Sequence, residues 1–207
     1  MSRPDVERPG GPIEEAAAAA LRGELVVLPT DTVYGIGTRP DDPAATARLF
    51  EAKGRPRDLE LPVLVPSTGV ARRIAVFDRR AEVLALRWWA GPLTLVLPRA
   101  APSRAWELGG DAGTIGVRMP HHPLALAVLA RTGPLAVTSA NRSGEPTPAD
   151  CDAVAAVFGE AVAVVLCDEA PPGGLASTVL DLAHGAPAIL RRGAVDADEV
   201  LAELLAT

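Results

Sequence analysis

Lys53 is the residue whose type points most directly to chemistry, because it is the only lysine in this 207-residue chain. It lies in segment 52–57 (AKGRPR), and the other 19 of the 20 Lys and Arg residues are arginines. Arginine is a planar, permanently charged fork, whereas lysine is a compact ammonium group that suits a point contact with a phosphate. The alternative is chance placement on a solvated turn. With Arg55 two residues further on, the segment predicts a phosphate-binding site.

Other polar residues collect just after predicted apolar strands, where open α/β sheets bind their ligands. The segments are 29–35 (PTDTVYG), 53–56 (KGRP), 114–120 (TIGVRMP), 138–141 (TSAN) and 190–193 (LRRG). Each has a simpler interpretation as a turn, a helix cap or a surface charge. Together their cations, hydroxyls and amide predict a site for a phosphate-containing ligand and a small carboxylate. The sequence contains neither GxxxxGK[ST] nor GxGxxG, so neither standard nucleotide-binding motif is present.

Strand-like and helix-like segments alternate, which predicts an α/β fold with a sheet covered by helices. The predicted helices are 12–21, 42–52, 79–88, 123–130, 149–158 and a closing helix from 195 onward. The predicted strands are 25–28, 62–65, 93–97, 114–118, 135–138, 162–166, 177–182 and 188–190. The last two strands resemble a hairpin, so we expect a mixed sheet. Residues 171–174 (PPGG) predict a mobile loop.

The composition predicts a single domain at residues 12–207 after a flexible N-terminus at residues 1–11. Hydrophobic residues make up 48% of the chain and aromatic residues only 3%, so Ala, Val and Leu must build the core. The net charge of −6 argues against a protein that coats nucleic acid, although a local basic pocket is compatible with it. No secretory signal or uncharged stretch of membrane-spanning length occurs, which predicts a soluble cytoplasmic protein without membrane contact.

Cys151 and Cys167 form no CxxC motif and have no histidine at metal-ligand spacing. We interpret both as reduced, structural residues. The pair His121-His122 before Pro123 indicates a helix start and not a zinc site.

The motifs occur together, and in this order, in the YrdC-like family, which the chain resembles over about residues 12–195. The similar segments are 29–37 (PTDTVYGIG), 53–56 (KGRP), 91–97 (GPLTLVL), 117–120 (VRMP), 139–141 (SAN) and 177–179 (STV). The resemblance implies a twisted mixed α/β sheet flanked by helices, with a concave, positively charged cavity. The chain resembles the short, single-domain form of the family.

The resemblance further implies an L-threonylcarbamoyladenylate synthase, a nucleotidyltransferase. Such an enzyme converts L-threonine, bicarbonate or CO2, and ATP into threonylcarbamoyl-AMP and pyrophosphate, with Mg²⁺ accompanying ATP. A downstream tRNA threonylcarbamoyl transferase complex then modifies an adenosine of tRNA. Two alternatives are an RNA-binding YrdC-like module, with weak RNA binding in the basic cavity, and a paralogue that acts on another carbamoyl adenylate.

The family's residue roles carry over to matching positions of this chain, and no metal ligand is among them. The threonine-binding positions are Thr32, Arg118, Ser177 and the main chain near Val137. The nucleotide-binding positions are Lys53, Arg55, Thr114, Ser139, Asn141, Thr147 and Arg191. Lys53 and Arg55 would also be catalytic, because with Arg191 they offset the charge of the leaving pyrophosphate. Arg118 has no acid nearby in sequence, so we expect it to bind the threonine carboxylate.

The chain departs from the family pattern at three places. Many relatives read KxRPxx[KN]PL, but here the last three positions are Leu59-Glu60-Leu61, so a polar contact to ATP is missing or comes from the backbone. Leu64 stands where some relatives carry a histidine near the threonine site, and Ala90 replaces the usual proline before Gly91. We expect these departures to change individual contacts more than the activity.

Overall fold

The computed structural model describes residues 11–168 and 173–205 as a sheet with helices on both faces. The strands are β1 (Leu25–Leu28), β2 (Gly35–Thr38), β3 (Val63–Leu64), β4 (Leu93–Pro98), β5 (Thr114–Arg118), β6 (Leu135–Ser139), β7 (Val162–Val165), β8 (Thr178–Asp181) and β9 (Ala188–Arg191). The helices are α1 (Pro12–Leu21), α2 (Pro43–Lys53), α3 (Thr68–Ile74), α4 (Arg79–Trp88), α5 (Pro123–Thr132), α6 (Cys151–Phe158) and α7 (Ala197–Leu205). Within these residues the strand order is β7-β1-β2-β6-β3-β5-β4-β8-β9.

The sheet is mixed, as predicted. Strand β3 runs parallel to β5, and β4 runs parallel to β8, whereas β4 and β5 are antiparallel. The predicted hairpin is the antiparallel pair β8 and β9. The prediction of an α/β fold with a mixed sheet flanked by helices is therefore confirmed.

Two elements were absent from the prediction, β2 and α3. Two of the four residues of β2 are the glycines Gly35 and Gly37, which carry no β-propensity signal. The structure shows why they are there, since a Cβ on Gly37 would lie 2.5 Å from the Ala136 carbonyl oxygen and 2.6 Å from the Val137 side chain. Helix α3 is only seven residues long, too short for a clear apolar period.

Side chains of alternate strand residues enter two different environments. One face packs into the larger core, to which β5 contributes Ile115 and Val117. The other face is covered over β1, β2 and β6 by α1 and α5, which pack on residues such as Val26 and Val137. Further along, the same face of β3, β5, β4 and β8 lines two adjoining pockets. The covering helices thus end where the site begins.

The predicted phosphate-binding segment lies at the C-terminal end of helix α2. The Asp42 carboxylate accepts a hydrogen bond of 2.9 Å from the Ala44 amide, and Pro43 occupies the first helical position. Gly54 ends the helix with φ of 60°, a left-handed conformation that glycine adopts at little cost. Because the chain turns at Gly54, Lys53 and Arg55 enter different surroundings.

The prediction of reduced cysteines is wrong, because Cys151 and Cys167 form a disulfide with a Cα–Cα distance of 5.6 Å. Cys151 is the first residue of α6, and Cys167 follows β7. The helix packs back against the strand that follows it, so its start lies beside the strand's end. Spacing alone could not show this, because the two cysteines lie 16 positions apart in sequence.

Some predictions concern residues outside the part of the chain that the structure describes. The N-terminal segment lies outside the described residues except for Gly11, as do Pro171 and Pro172 of the predicted mobile loop. The single-domain boundary at residues 12–207 stays a prediction. None of the helices described is long and apolar enough to cross a membrane.

Candidate active site

A cavity of about 120 Å³ lies where the uncovered sheet face meets the loop after β1. Its lining contains all four predicted threonine-binding residues and three of the predicted nucleotide-binding residues. They are Thr32, Arg118, Val137 and Ser177, and Arg55, Ser139 and Arg191. The remaining lining comes from Thr30, Val33, Gly35, Pro62, Leu64, Thr94, Thr138 and Ala176. Segments far apart in sequence therefore converge on one cavity.

Arg118 is the most buried cation of the cavity, with 6% of its surface exposed. Its guanidinium donates to the Gly91 carbonyl at 3.0 Å and to the Thr32 hydroxyl at 2.9 Å. Its Nη2 donates to Asp31 Oδ1 at 2.6 Å, which forms an ion pair. No acid lies near Arg118 in sequence, and its acidic partner comes from 87 residues away. These bonds use three of five guanidinium donors, so two can still bind a carboxylate.

Asp31 orients Arg118, and its two carboxylate oxygens differ in their hydrogen bonding. Its Oδ1 accepts from Arg118 and from the His121 amide at 3.0 Å. Its Oδ2 is buried and has no hydrogen-bond partner among the described residues. Burial lowers the pKa of Arg118, and the charge of Asp31 opposes that shift. The two residues depend on each other electrostatically.

Two pairs of hydroxyl groups flank the cavity. The Thr30 and Thr32 hydroxyls lie 3.0 Å apart, and Thr30 donates to the Val33 carbonyl at 2.6 Å. The Thr94 and Ser177 hydroxyls lie 2.8 Å apart. Sequence reasoning missed Thr94, although the alternation along β4 could have placed it, with Val96, on the ligand face. These hydroxyls can bind a polar ligand group by donating or accepting.

Arg55 and Arg191 form the cationic wall of the cavity. Arg55 donates to the main-chain carbonyls of Leu59 at 3.1 Å and Glu60 at 2.8 Å. Arg191 donates to the Ser177 carbonyl and hydroxyl, both at 3.0 Å. Burial lowers the pKa of Arg55, and the nearby charge of Arg191 lowers it further. Two neighbouring cations held by neutral acceptors suit an anionic ligand.

Lys53 faces the loop after β6 and not the cavity. It is 2% exposed, and its ammonium group donates to the Ser139 carbonyl, to the Asn141 carbonyl at 2.7 Å and to Asn141 Oδ1 at 3.4 Å. The Thr147 hydroxyl also donates to Asn141 Oδ1, at 3.3 Å. Burial, with a smaller effect of Arg55, lowers the pKa of Lys53 to about 8. These hydrogen bonds stabilise the loop that carries Ser139. Direct contact of a phosphate with Lys53, Asn141 or Thr147 stays a prediction.

A second pocket, of about 310 Å³, adjoins the cavity and shares Arg55, Pro62, Thr94 and Arg191 with it. Its other lining residues are Leu59, Glu60, Val96, Gly116, Val179 and Leu190. Gly116 lies between Arg118 and Thr114 on the same face of β5, so a residue without a side chain leaves the floor open. Thr114 lies on that face at the start of β5 and donates to the Asp111 carbonyl at 3.4 Å. The pocket is largely apolar with cations at one side, a combination that fits a nucleoside carrying phosphates.

The departures from the family pattern fall around these two pockets. Leu64 lines the first cavity and packs with Leu135 and Val137, so it offers an apolar surface where some relatives have a histidine. Leu59 and Glu60 supply the backbone carbonyls that hold Arg55. At this position of the motif, the main-chain carbonyls of Leu59 and Glu60 therefore orient the Arg55 guanidinium.

Comparison with known proteins identifies the family. The sequence model of the Sua5, YciO and YrdC family, described as "Telomere recombination", matches residues 18–193. A protein of Mycobacterium tuberculosis (strain ATCC 25618 / H37Rv) is 42% identical over 97% of this chain and 92% of its own length. The threonylcarbamoyl-AMP synthase of Chromohalobacter salexigens is 36% identical over 84% of this chain and 94% of its own length.

A solved structure agrees. The crystal structure of Pyrococcus abyssi Sua5 complexed with L-threonine is 36% identical, with a TM-score of 0.84 over 93% of this chain. This chain spans 57% of that longer protein. Sequence and fold lead to the same assignment, and the chain belongs to the Sua5/YciO/YrdC family.

Proposed function

We propose that this protein is an L-threonylcarbamoyladenylate synthase, which forms threonylcarbamoyl-AMP and pyrophosphate from L-threonine, bicarbonate or CO2, and ATP. The observation that carries the proposal is the single cavity in which the predicted threonine-binding residues meet Arg55, Ser139 and Arg191. The related synthase of Chromohalobacter salexigens and the threonine-bound Pyrococcus abyssi protein support it.

The first cavity supplies the groups that threonine needs. The two unused donors of Arg118 bind the carboxylate of the amino acid. The hydroxyl pairs Thr30–Thr32 and Thr94–Ser177 lie within the lining and can bind the substrate hydroxyl. Leu64 and Val137 provide apolar surface for its methyl group.

The chemistry needs no protein nucleophile. The threonine amine adds to CO2 with loss of a proton to solvent, or to bicarbonate with loss of water, and gives a carbamate. A carbamate oxygen then attacks the α-phosphorus of ATP, the bond to the bridging oxygen breaks, and pyrophosphate leaves. Arg55 and Arg191, which line both pockets, offset the developing charge. Catalysis therefore rests on positioning and electrostatic stabilisation.

Mg²⁺ is proposed to arrive with ATP and to neutralise phosphate charge. The described residues contain no group of three or more His, Cys, Asp or Glu side chains that could hold a metal ion. Magnesium in such sites is bound largely through substrate phosphates and water. No protein ligand is assigned to it, and no step above depends on one.

The product would serve a downstream tRNA threonylcarbamoyl transferase complex, and a cytoplasmic location follows from that proposed use. Weak RNA binding in the cationic cavity is the alternative activity. It gains no support from the net charge of −6.

The test is mass spectrometry of the purified protein incubated with ATP, L-threonine and bicarbonate. Threonylcarbamoyl-AMP and pyrophosphate should appear, and both should depend on threonine. ATP turnover without threonine dependence would favour the paralogue. RNA retention on a filter with no turnover would favour the RNA-binding module.

A further inference from the structure

Glu60 occupies the wall of the second pocket. Only 18% of its side chain is exposed. Its Oε1 is buried and makes no hydrogen bond within the described part of the chain. A buried carboxyl group is costly unless it is paired and fully hydrogen-bonded, so a donor group on a ligand would stabilise Glu60.

The nearest cation forms an ion pair with this carboxyl group but no hydrogen bond. Arg99 Nη2 lies 3.8 Å from Glu60 Oε1, beyond hydrogen-bond distance. Arg99 is itself held by main-chain carbonyls, with Nε donating to Thr114 at 2.5 Å and Nη1 to Trp106 at 2.7 Å. Its guanidinium therefore cannot shift toward Glu60 without breaking those bonds.

Burial keeps the Glu60 carboxyl group partly neutral. Burial raises the pKa of Glu60 to about 7, Arg99 and the Gly116 amide oppose the shift, and Asp111 and Asp181 add to it. At neutral pH the group exists in both forms. It can therefore donate as well as accept a hydrogen bond.

The main chain of Glu60 is tied to the cationic wall. Its carbonyl accepts a hydrogen bond of 2.8 Å from Arg55 Nη2, and Arg55 lines both pockets. A nucleotide whose phosphates meet Arg55 and Arg191 would place its base among Val96, Val179 and Leu190, in the pocket that Glu60 borders.

We infer that the Glu60 carboxyl group recognises the amino-bearing edge of adenine in the second pocket and so sets the preference for an adenine nucleotide. This inference rests on the proposed function for the identity of the nucleotide. The neutral acid accepts from the 6-amino group and donates to the adjacent ring nitrogen, whereas the carboxylate accepts from the amino group alone. A base that lacks the amino group leaves a carboxyl oxygen of Glu60 without a donor, which is the source of the discrimination.

The test compares binding of ATP and of purine riboside 5′-triphosphate, which lacks the 6-amino group, by calorimetry without threonine. The wild type should bind ATP at least about fivefold more tightly. Glu60→Gln should keep that preference, because its amide presents the donor and acceptor of the neutral acid. Glu60→Leu should bind the two nucleotides within about twofold of each other. Glu160→Leu, an exposed glutamate elsewhere, is the matched control and should behave as the wild type.

The outcomes separate this inference from the proposed function. An ATP preference in Glu60→Leu equal to that of the wild type, or no ATP preference in the wild type, would overturn the role of Glu60. If Glu60→Leu does not fold, Glu60→Gln decides, since loss of the preference in that variant also overturns it. A clear base preference without any threonylcarbamoyl-AMP product would leave Glu60 as a base reader and refute the synthase.

Discussion

Arg118 and Asp31 lie 87 residues apart in sequence and form an ion pair of 2.6 Å beside the cavity. Only 7% of the Arg118 side chain and 13% of the Asp31 side chain are exposed. Arg118 therefore already binds the Asp31 carboxylate, and a substrate carboxylate must bind the same guanidinium. This relationship makes stability and threonine binding interdependent.

Asp31→Asn should destabilise the free protein, because it leaves Arg118 buried without its counter-charge. Removing one partner of a buried ion pair costs about 3–5 kcal/mol. Saturating threonine should then raise the melting temperature more in the variant than in the wild type, since the substrate carboxylate replaces the lost charge. Thermal unfolding with and without threonine measures both effects. A smaller threonine-induced shift in the variant would mean that Asp31 itself binds the substrate.

Arg118→Ala should weaken threonine binding by roughly 1.5–3 kcal/mol and leave ATP binding nearly intact, because a charge-assisted contact to the carboxylate is lost. The change also leaves Asp31 unpaired, so the double variant with Asp31→Asn serves as the control for general destabilisation. Calorimetric titration of each ligand decides. Equal losses for threonine and ATP would show that Arg118 serves the fold or the phosphates.

Lys53→Arg should lower both stability and pyrophosphate release despite keeping the charge. The compact ammonium fits among three acceptors on Ser139 and Asn141, and the wider guanidinium does not. Leaving those buried acceptors unpaired costs about 1–3 kcal/mol. Chemical denaturation and a pyrophosphate assay would measure the two effects. A variant with wild-type stability and reduced turnover would instead favour direct contact between Lys53 and the triphosphate.

Glu60→Gln should change how stability depends on pH. The pKa of Glu60 rises from 4.5 to about 7 on folding, so the folded state holds a proton that the unfolded state releases between these values. Wild-type stability should therefore fall as the pH rises from 4.5 to 7, by on the order of 2–3 kcal/mol. The variant should lack this contribution and unfold at higher denaturant concentration than the wild type above pH 7. Parallel denaturation curves at every pH would contradict the burial of an ionisable Glu60.

L-Serine should be a poorer substrate than L-threonine by about 10–200-fold, since only one methyl group distinguishes them. Leu64 and Val137 line the surface that this methyl would meet. L-Valine should be rejected more strongly, because it leaves the hydroxyl pairs of the cavity without a partner. The measurement is kcat/KM for the three amino acids at one bicarbonate concentration. If valine outperforms serine, the cavity selects by shape alone.

The local sequence was sufficient to predict most elements of the fold. An apolar run bounded by Gly23 and Pro29 predicted β1, and Asp42-Pro43 predicted the start of α2. These signals are local, since caps and turns depend on a few neighbouring residues. The sequence also placed Thr32 and Arg118 just after or at the end of predicted strands. Because β5 runs antiparallel to β1, however, only the tertiary structure brings these two residues into one cavity.

The tertiary structure alone decided what those residues contact. The partner of Arg118, the disulfide of Cys151 with Cys167, and the inward direction of Lys53 all depend on pairs far apart in sequence. The same holds for Glu60, whose burial beside Arg99 appears only once β3 and β5 are paired. Charge, burial and hydrogen bonding at such positions are set by the packing of distant segments, which no local pattern encodes.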